Sequence, residues 1–408
     1  MNEINEIRNC FPMLRNNDKM VYLDSASTAL TPQSVIDAVT KYYTHHNTNT
    51  SRGVDKYGYE TTKQYEAVRY DVRRFLNARH TAEIIFTRGA TESLNMIAFG
   101  FAANVLKKGD EIILNIAEHH ANLLPWREVA RRTGAVIKYV DLNDDGSIDL
   151  THLQTLLSEK TRFVSFADVT NVLGSSNDVQ ELTKLIRTHS SAYVVVDGAQ
   201  GITQSKVDVQ ASGCDFYVFS GHKLYGPTGV GVLYGKKALL EQMEPFELGG
   251  DMVASISKDA IEYKDLPRKL EAGTMMIAEV FGLGAALSFY EKFDEAATRA
   301  DIKALRAHAI SELKKNVPDV TIYNETLVNS RTITFNIGTI HAHDVASVFS
   351  ENDIVVRAGH HCAQLLLEHL QTNSTVRMSI GIYNTKEDID RFIDVAKKAG
   401  DFLDALFG

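Results

Sequence analysis

The stretch "FYVFSGHKLYGPTGVGVLYG" (Phe216–Gly235) decides how this chain is organised. An aromatic and aliphatic run ends in Ser-Gly-His-Lys, a Gly/Pro-rich turn follows, and a second apolar run begins at Gly229. Near-continuous apolar runs of this length belong to strands buried on both faces of a sheet. Working outward, such runs occur at Glu83–Thr87, Glu111–Asn115, Val136–Val140, Arg162–Val169, Tyr193–Asp197, Asp215–Ser220 and Gly229–Tyr234. Helical patterns lie between several of them, among them "TESLNMIAFGFAANVL" and "DVQELTKLIRTHS". The alternation predicts an α/β fold built on a large, mostly parallel sheet covered by helices. From about Glu271 the pattern changes. A long helix-like stretch leads to strands at Thr332–Ile337, Ile354–Arg357 and Val376–Ile380, which predicts a smaller α+β domain. The expected division is 16–270 for the large domain, with 1–15 and 271–408 in the small one.

Composition sets the boundaries of function. The chain has 408 residues, 44% hydrophobic and 23% charged, and carries a net charge of −9. That sign argues against a nucleic-acid or anionic-membrane surface. Cys10, Cys214 and Cys362 are odd in number and far apart, so neither a disulfide framework nor a CxxC metal pair is expected, and a reducing, cytoplasmic setting fits best. The polar start "MNEINEIRNC" does not read as a signal peptide, and the apolar stretch "VFGLGAALSFY" is too short to span a bilayer.

In an open α/β sheet, ligands bind beyond the carboxyl ends of the strands, and the unusual polar residues fall there. "IIFTRGATES" ends a strand and opens a helix at Ala90-Thr91, which suits either a phosphate or an ordinary N-cap. "YVVVDGAQ" puts Asp197 at the end of a buried strand, where a carboxylate needs a cation or hydrogen-bond donors. Ser220, His222 and Lys223 follow another strand. A lysine there either loses solvent and has its pKa lowered, as Schiff-base chemistry needs, or stands solvated on its loop. The glycines after it match neither phosphate-loop pattern, since Val230, Lys237 and Tyr234 occupy positions those patterns reserve. The pairs His119-His120 and His360-His361 are poor co-ligands, because neighbours on extended backbone point apart, so no metal site is expected. "DIVVRAGHHCAQ" (Asp353–Gln364) places Cys362 in a polar, basic turn, unlike a cysteine that merely fills a core.

A pyridoxal phosphate enzyme needs a lysine for the aldehyde, a carboxylate for the pyridine nitrogen, an aromatic ring over the pyridine face, a phosphate cup and an arginine for the substrate carboxylate. Each has a candidate at a strand end: Lys223, Asp197, His119, the Gly89–Thr91 turn with Ser220 and His222, and Arg377 in "TVRMSIG".

With these residues in view, the chain resembles the SUF-type (group II, SufS-like) cysteine desulfurases of the class V aminotransferase family. The resemblance runs nearly end to end through "YLDSAST", "TRGATESLN", "EHHANLLPW", "TNVLG", "VDGAQ", "SGHKLYGPTG", "LEAGT" and "RAGHHCAQ". It implies a PLP-dependent transferase fold of the aspartate aminotransferase-like type (fold type I), with a seven-stranded sheet. It also implies that Lys223 forms the Schiff base and shuttles protons, Asp197 pairs with the pyridinium and Gln200 donates to the ring phenolate. His119 stacks on the ring and takes part in proton transfer. Ala90, Thr91, Ser220 and His222 hold the phosphate, while Thr274 reaches the phosphate of the neighbouring subunit of a homodimer. Asn171, Arg357 and Arg377 serve the amino-acid substrate, Arg377 in the two-pronged manner of a planar guanidinium. Cys362 takes the sulfur of L-cysteine as a persulfide and alanine leaves. A SufE- or SufU-type acceptor then receives the sulfur for iron–sulfur cluster assembly; "HAHD" (His341–Asp344) reads either as two solvated loop histidines, the commoner case, or as a contact for a zinc-containing SufU type.

The rivals are a selenocysteine lyase, which shares fold and cofactor, a class V aminotransferase, and a non-enzymatic zinc or sulfur-carrier scaffold. Three stretches depart from the family pattern: Ser51-Arg52-Gly53 where relatives have a histidine, "EAGTMM" (Glu271–Met276), and "ELGGDM" (Glu247–Met252).

Overall fold

A computed structural model describes residues 4–50 and 55–407, with side chains up to residue 399. Ser51, Arg52 and Gly53 lie outside the described residues. In chain order the strands are β1 (Val21–Tyr22), β2 (Ile84–Thr87), β3 (Glu111–Asn115), β4 (Val136–Val140), β5 (Thr161–Ala167), β6 (Tyr193–Asp197), β7 (Phe216–Ser220), β8 (Gly231–Gly235), β9 (Val253–Ile256), β10 (Ile261–Tyr263), β11 (Val320–Ile322), β12 (Thr332–Ile337), β13 (Ile354–Val355), β14 (Arg357–Gly359) and β15 (Thr375–Ser379).

Seven of these form one sheet in the order β2-β8-β7-β6-β5-β3-β4. The β3–β4, β3–β5, β5–β6 and β6–β7 pairs are parallel, and β8 runs antiparallel to both of its neighbours. The central strands are largely apolar because both faces are covered. Val194, Val196, Tyr217 and Phe219 enter the core on one face, and Val195, Phe216 and Val218 enter the core on the other. The edge strand β4 is more exposed, and its sequence "VIKYV" admits a lysine. This is the α/β fold with a large, mostly parallel seven-stranded sheet that the sequence predicts.

The smaller unit is an antiparallel sheet in the order β11-β12-β15-β14. Its core joins Ile333, Phe335, Val376 and Met378 to Ile302 and Leu313 of the helix Glu295–Asn316 and to Ile389 and Phe392 of the helix Lys386–Phe407. Two segments sit differently from the expected division. The helix Ile277–Tyr290, apolar nearly all round, packs in the large core between the helices Gln33–Lys41 and Lys56–Phe75. A helix without a polar face needs cover on every side, which the small sheet does not offer. In the other direction, β1 pairs in parallel with β13, and Val21 and Leu23 join the small core.

A third cluster matters for function. Ala117, Val172 and Leu173, from loops at the carboxyl ends of β3 and β5, pack against Ala363, Leu366 and Leu367. This contact seats the turn carrying Cys362 over the mouth of the large sheet.

Candidate active site

Lys223 closes the short helical turn Gly221–Lys223 that follows β7. Its ammonium has no hydrogen-bond partner among the described residues. Burial lowers its pKa, Asp197 and Cys362 pull the other way, and Arg377 and Arg357 push with burial. Hydrogen bonds from Asn171 to His361 O, from Arg377 to Asn171 O and from His120 N–H to Cys362 O bring the cysteine turn and Arg377 onto the loops that follow β3 and β5, next to the strand end that carries Lys223. Asp197, at the end of β6, is 5% exposed and accepts from Ala199 N–H at 3.0 Å. Burial raises its pKa, while Lys223 and that N–H oppose the rise. Gln200, three residues on, is fixed by donating from Nε2 to Ala26 O at 2.7 Å.

His119 follows β3. Its Nδ1 accepts from Ala121 N–H at 3.0 Å, which places the ring proton on Nε2. Burial, aided by Lys223, His120 and Arg377, lowers its pKa to about 4, so the ring is neutral at ordinary pH. A neutral, tautomer-fixed ring suits stacking and can donate from Nε2.

At the other end of the space, Ser220 Oγ accepts from Ala90 N–H at 2.9 Å, tying the end of β7 to the start of the helix Ala90–Asn95. His222 Nδ1 lies 3.1 Å from Thr28 Oγ1, and burial with Lys223 lowers its pKa to about 4. Thr91 is exposed on the first turn of that helix. Thr274 stands apart from this group. It is exposed, and its Oγ1 accepts from Asn49 Nδ2 at 3.2 Å.

The small unit supplies the opposite wall. Arg377, on β15, donates from Nη1 to Asn171 O at 2.8 Å and from Nη2 to Asp24 Oδ1 at 3.1 Å. Arg357, on β14, places Nε 3.1 Å from Asp24 Oδ2 and Nη2 2.5 Å from Ser27 Oγ. Asn171 Nδ2 donates to His361 O at 2.7 Å, and His120 N–H donates to Cys362 O at 2.8 Å. His361 and Cys362 both have left-handed backbone, with φ of 50° and 56°. Bulky residues seldom adopt that region, so the surrounding bonds hold the turn. His361 itself is a brace. Its Nε2 sits 2.9 Å from Thr375 Oγ1, and burial lowers its pKa to about 3, so it offers the thiol no positive charge. The side chain of Cys362 is exposed, whereas Cys214 is buried and its thiol is pushed up to about 12 by burial.

Two orphaned groups test whether pyridoxal phosphate fits. Asn171 Oδ1 and Arg377 Nε are buried without partners, and Lys223 and Asp197 face the same space without bonding each other. A buried ammonium and carboxylate left apart are costly unless a polar molecule sits between them. An aldehyde near Lys223 and a protonated pyridine near Asp197 satisfy both, so the residues fit the group. Among the described residues, no three His, Cys, Asp or Glu side chains gather as a metal site would require.

The structure adds residues that the motifs do not single out. Asp24 holds both arginines, Thr28 holds His222, and Glu118 and Asp168 lie buried behind His119 and Asp197. The signal for Asp24 is "YLDSAST", where a charged residue follows an apolar strand. Its partners lie more than 300 positions away, as their separations of 333 and 353 show.

The Aminotransferase class-V family profile matches residues 21–392, and the chain belongs to that family. It is 43% identical to a probable cysteine desulfurase of Halalkalibacterium halodurans, over 98% of this chain and 99% of the relative. The crystal structure of the cysteine desulfurase CsdA from Escherichia coli superposes with a TM-score of 0.91 at 39% identity, covering 98% of this chain and 99% of that one. An apo cysteine desulfurase from Thermococcus onnurineus superposes with a TM-score of 0.92 at 32% identity, covering 98% of each chain. Within the family the chain groups with the cysteine desulfurases, and it is an enzyme.

Proposed function

We propose that the protein is a PLP-dependent, SUF-type cysteine desulfurase that converts L-cysteine to L-alanine and retains the sulfur as a persulfide on Cys362. The observation that supports this most is the seating of the Cys362 turn and Arg377 of the small unit on the loops of the large sheet, through Asn171 and His120, beside Lys223 and the buried Asp197.

In this reading Lys223 would carry the cofactor, Asp197 would pair with its ring nitrogen, Gln200 would donate to its ring oxygen and His119 would stack on the ring. Ala90, Thr91, Ser220 and His222 receive its phosphate, and Thr274 reaches the phosphate of a second copy in a homodimer. Bound there, the cofactor acts as an electron sink for the α-carbon of an amino acid. Arg377 and Asn171 bind the substrate carboxylate, with Arg357 at the rim. The lowered pKa of Lys223 lets its amine take and return a proton. The Cys362 thiolate bonds to the substrate sulfur as the carbon–sulfur bond breaks. The electron pair remains on the carbon skeleton, which is protonated and leaves as alanine.

The persulfide would pass to a SufE- or SufU-type acceptor in the cytoplasm and supply iron–sulfur cluster assembly. His341 and His343 support the zinc-containing SufU type. Their rings stack at 5.4 Å, and His343 sits beside Gly359, on the strand leading to Cys362.

The test is chemical. Borohydride reduction of the purified protein followed by peptide mapping should place a pyridoxyl group on Lys223. A pyridoxyl group elsewhere, or none after incubation with pyridoxal phosphate, overturns the assignment.

A further inference from the structure

Asp197 and Gln200 sit on one short loop, Asp197–Gly201, and what holds that loop lies on its far side. Tyr217, on β7, donates from its hydroxyl to Asp168 Oδ2 at 2.8 Å. Asp168 follows β5, so this bond passes across β6, directly behind Asp197. Asp168 Oδ1 accepts from Gly201 N–H at 3.2 Å and from Val169 N–H at 2.7 Å, and Asp168 N–H donates to Asp197 O at 3.2 Å. Both ends of the loop therefore rest on Asp168.

The loop's glycines fit the same pair. A Cβ on Gly198 would fall 2.0 Å from Tyr217 Cζ, and one on Gly201 would fall 2.0 Å from Asp168 Oδ2. The backbone lies directly against the phenol and the carboxylate, with no room for a side chain at either point. Tyr217 is 2% exposed and Asp168 5%. Both line a cavity of about 630 Å³, together with Lys206 and Arg331, whose lining includes neither Lys223 nor Asp197.

We propose that Asp168 and Tyr217 are a positioning pair that fixes the Asp197–Gly201 loop, and so the orientation in which Asp197 and Gln200 meet the cofactor ring. The proposal rests on the PLP reading above. The charges that bear on Asp168 fit a brace under load. Burial and the neighbouring Asp197 push its carboxyl up to about 7, while the Tyr217 hydroxyl and two backbone N–H groups oppose the rise. Glu118, behind β3, adds a further buried acid that feels both aspartates. Three enclosed acids next to one loop would repel if all were ionised, and donors to Asp168 relieve that cost.

The experiment compares wild type, Tyr217→Phe, Asp168→Ala, Asp168→Asn and the Tyr217→Phe/Asp168→Ala double variant. Each is stripped of cofactor and titrated with pyridoxal phosphate. The readouts are the dissociation constant from protein fluorescence and the visible circular dichroism of the bound ring. Loss of one charge-assisted hydrogen bond should weaken binding about tenfold in Tyr217→Phe, with a changed dichroism band. Asp168→Ala should do the same, and Asp168→Asn, which keeps an accepting oxygen, should fall between it and wild type. Because the two act as one unit, the double variant should be no weaker than the poorer single variant. Wild-type affinity and an unaltered band in Tyr217→Phe overturn the pair, as do losses that add in the double variant. If Asp168→Ala does not fold, Tyr217→Phe alone decides. A wild-type protein that takes up no pyridoxal phosphate would overturn the PLP reading instead, which separates the two failures.

Discussion

Arg377 and Asp24 meet at 3.1 Å, with side chains only 3% and 7% exposed. The second oxygen of that carboxylate takes Arg357 at 3.1 Å, so one acid balances two guanidinium groups. One positive charge is left over, which matches a single substrate carboxylate. Asp24→Asn removes the charge that holds Arg377 in place. The expected result is a KM for L-cysteine raised about tenfold, with kcat changed less, since the lost interaction serves binding. Steady-state alanine formation measures it, and an unchanged KM contradicts the role.

The departure at "EAGTMM" begins with a residue that the structure needs. Glu271 takes Arg69 in a two-pronged pair at 2.7 and 2.9 Å and also accepts from Phe86 N–H at 2.8 Å. Arg69 is 1% exposed and its other acid, Glu66 at 2.9 Å, is 43% exposed, so Glu271→Ala takes from a buried cation its only buried carboxylate and also orphans Phe86 N–H. Such a break costs about 3–5 kcal/mol, read as a fall in the urea unfolding midpoint, whereas Arg69→Met with Glu271→Leu should recover much of it. A single variant as stable as wild type contradicts this.

Most of the large sheet is legible because its signal is local. β3, β4 and β6 coincide with their predicted runs, and the others shift at their ends by one or two residues. β1, β11 and the β9–β10 hairpin carry too few residues to show a pattern. At the site, Lys223, Asp197 and His119 announce themselves as polar residues ending apolar strands. Asp24 and Asp168 follow apolar strands too, but their roles are not legible there, because those roles lie in partners that only the folded chain supplies. The helix Ile277–Tyr290 is legible as a helix but not in its placement, since an all-apolar surface does not say which core covers it.

Protonation should shape stability in the cofactor-free protein. Burial pushes Glu118 up to about 8 and Asp168 up to about 7. Both lie above the ordinary carboxylate value of about 4, so the native state holds protons that the unfolded chain has released. Their contribution to stability is complete below about pH 4 and is lost as pH rises through 7 to 8. His119, His222 and His361 act oppositely, because their pKa values are lowered from 6.5 and stability falls as pH drops below that value. Above pH 6.5 the unfolded chain gives up the remainder of its histidine protons while the native state loses those of the two acids, and the acids' larger effect sets the sign. In Lys223→Met, where the lowered amine cannot oppose the trend, the urea midpoint should therefore decline between pH 6.5 and 8.5, by the equivalent of at least about 1 kcal/mol. A flat or rising profile contradicts the assignments.

The three thiols should separate by reactivity. Cys362 is exposed, Cys10 is half-buried and Cys214 is fully enclosed with its thiol pushed up to about 12. One equivalent of iodoacetamide should alkylate Cys362 first, and Cys214 should react only after denaturation. Peptide mass spectrometry reads the order, and early labelling of Cys214 contradicts it.

The central claim is that a cofactor on Lys223 and the thiol of Cys362 work on one molecule of substrate. The direct measurement is to incubate the holoprotein with L-cysteine, quantify alanine, and weigh the Cys362 peptide without reducing agent. The account predicts alanine together with one added sulfur atom on Cys362, and loss of both in Cys362→Ser. Sulfur carried on a different residue, or alanine formed undiminished by Cys362→Ser, would contradict it.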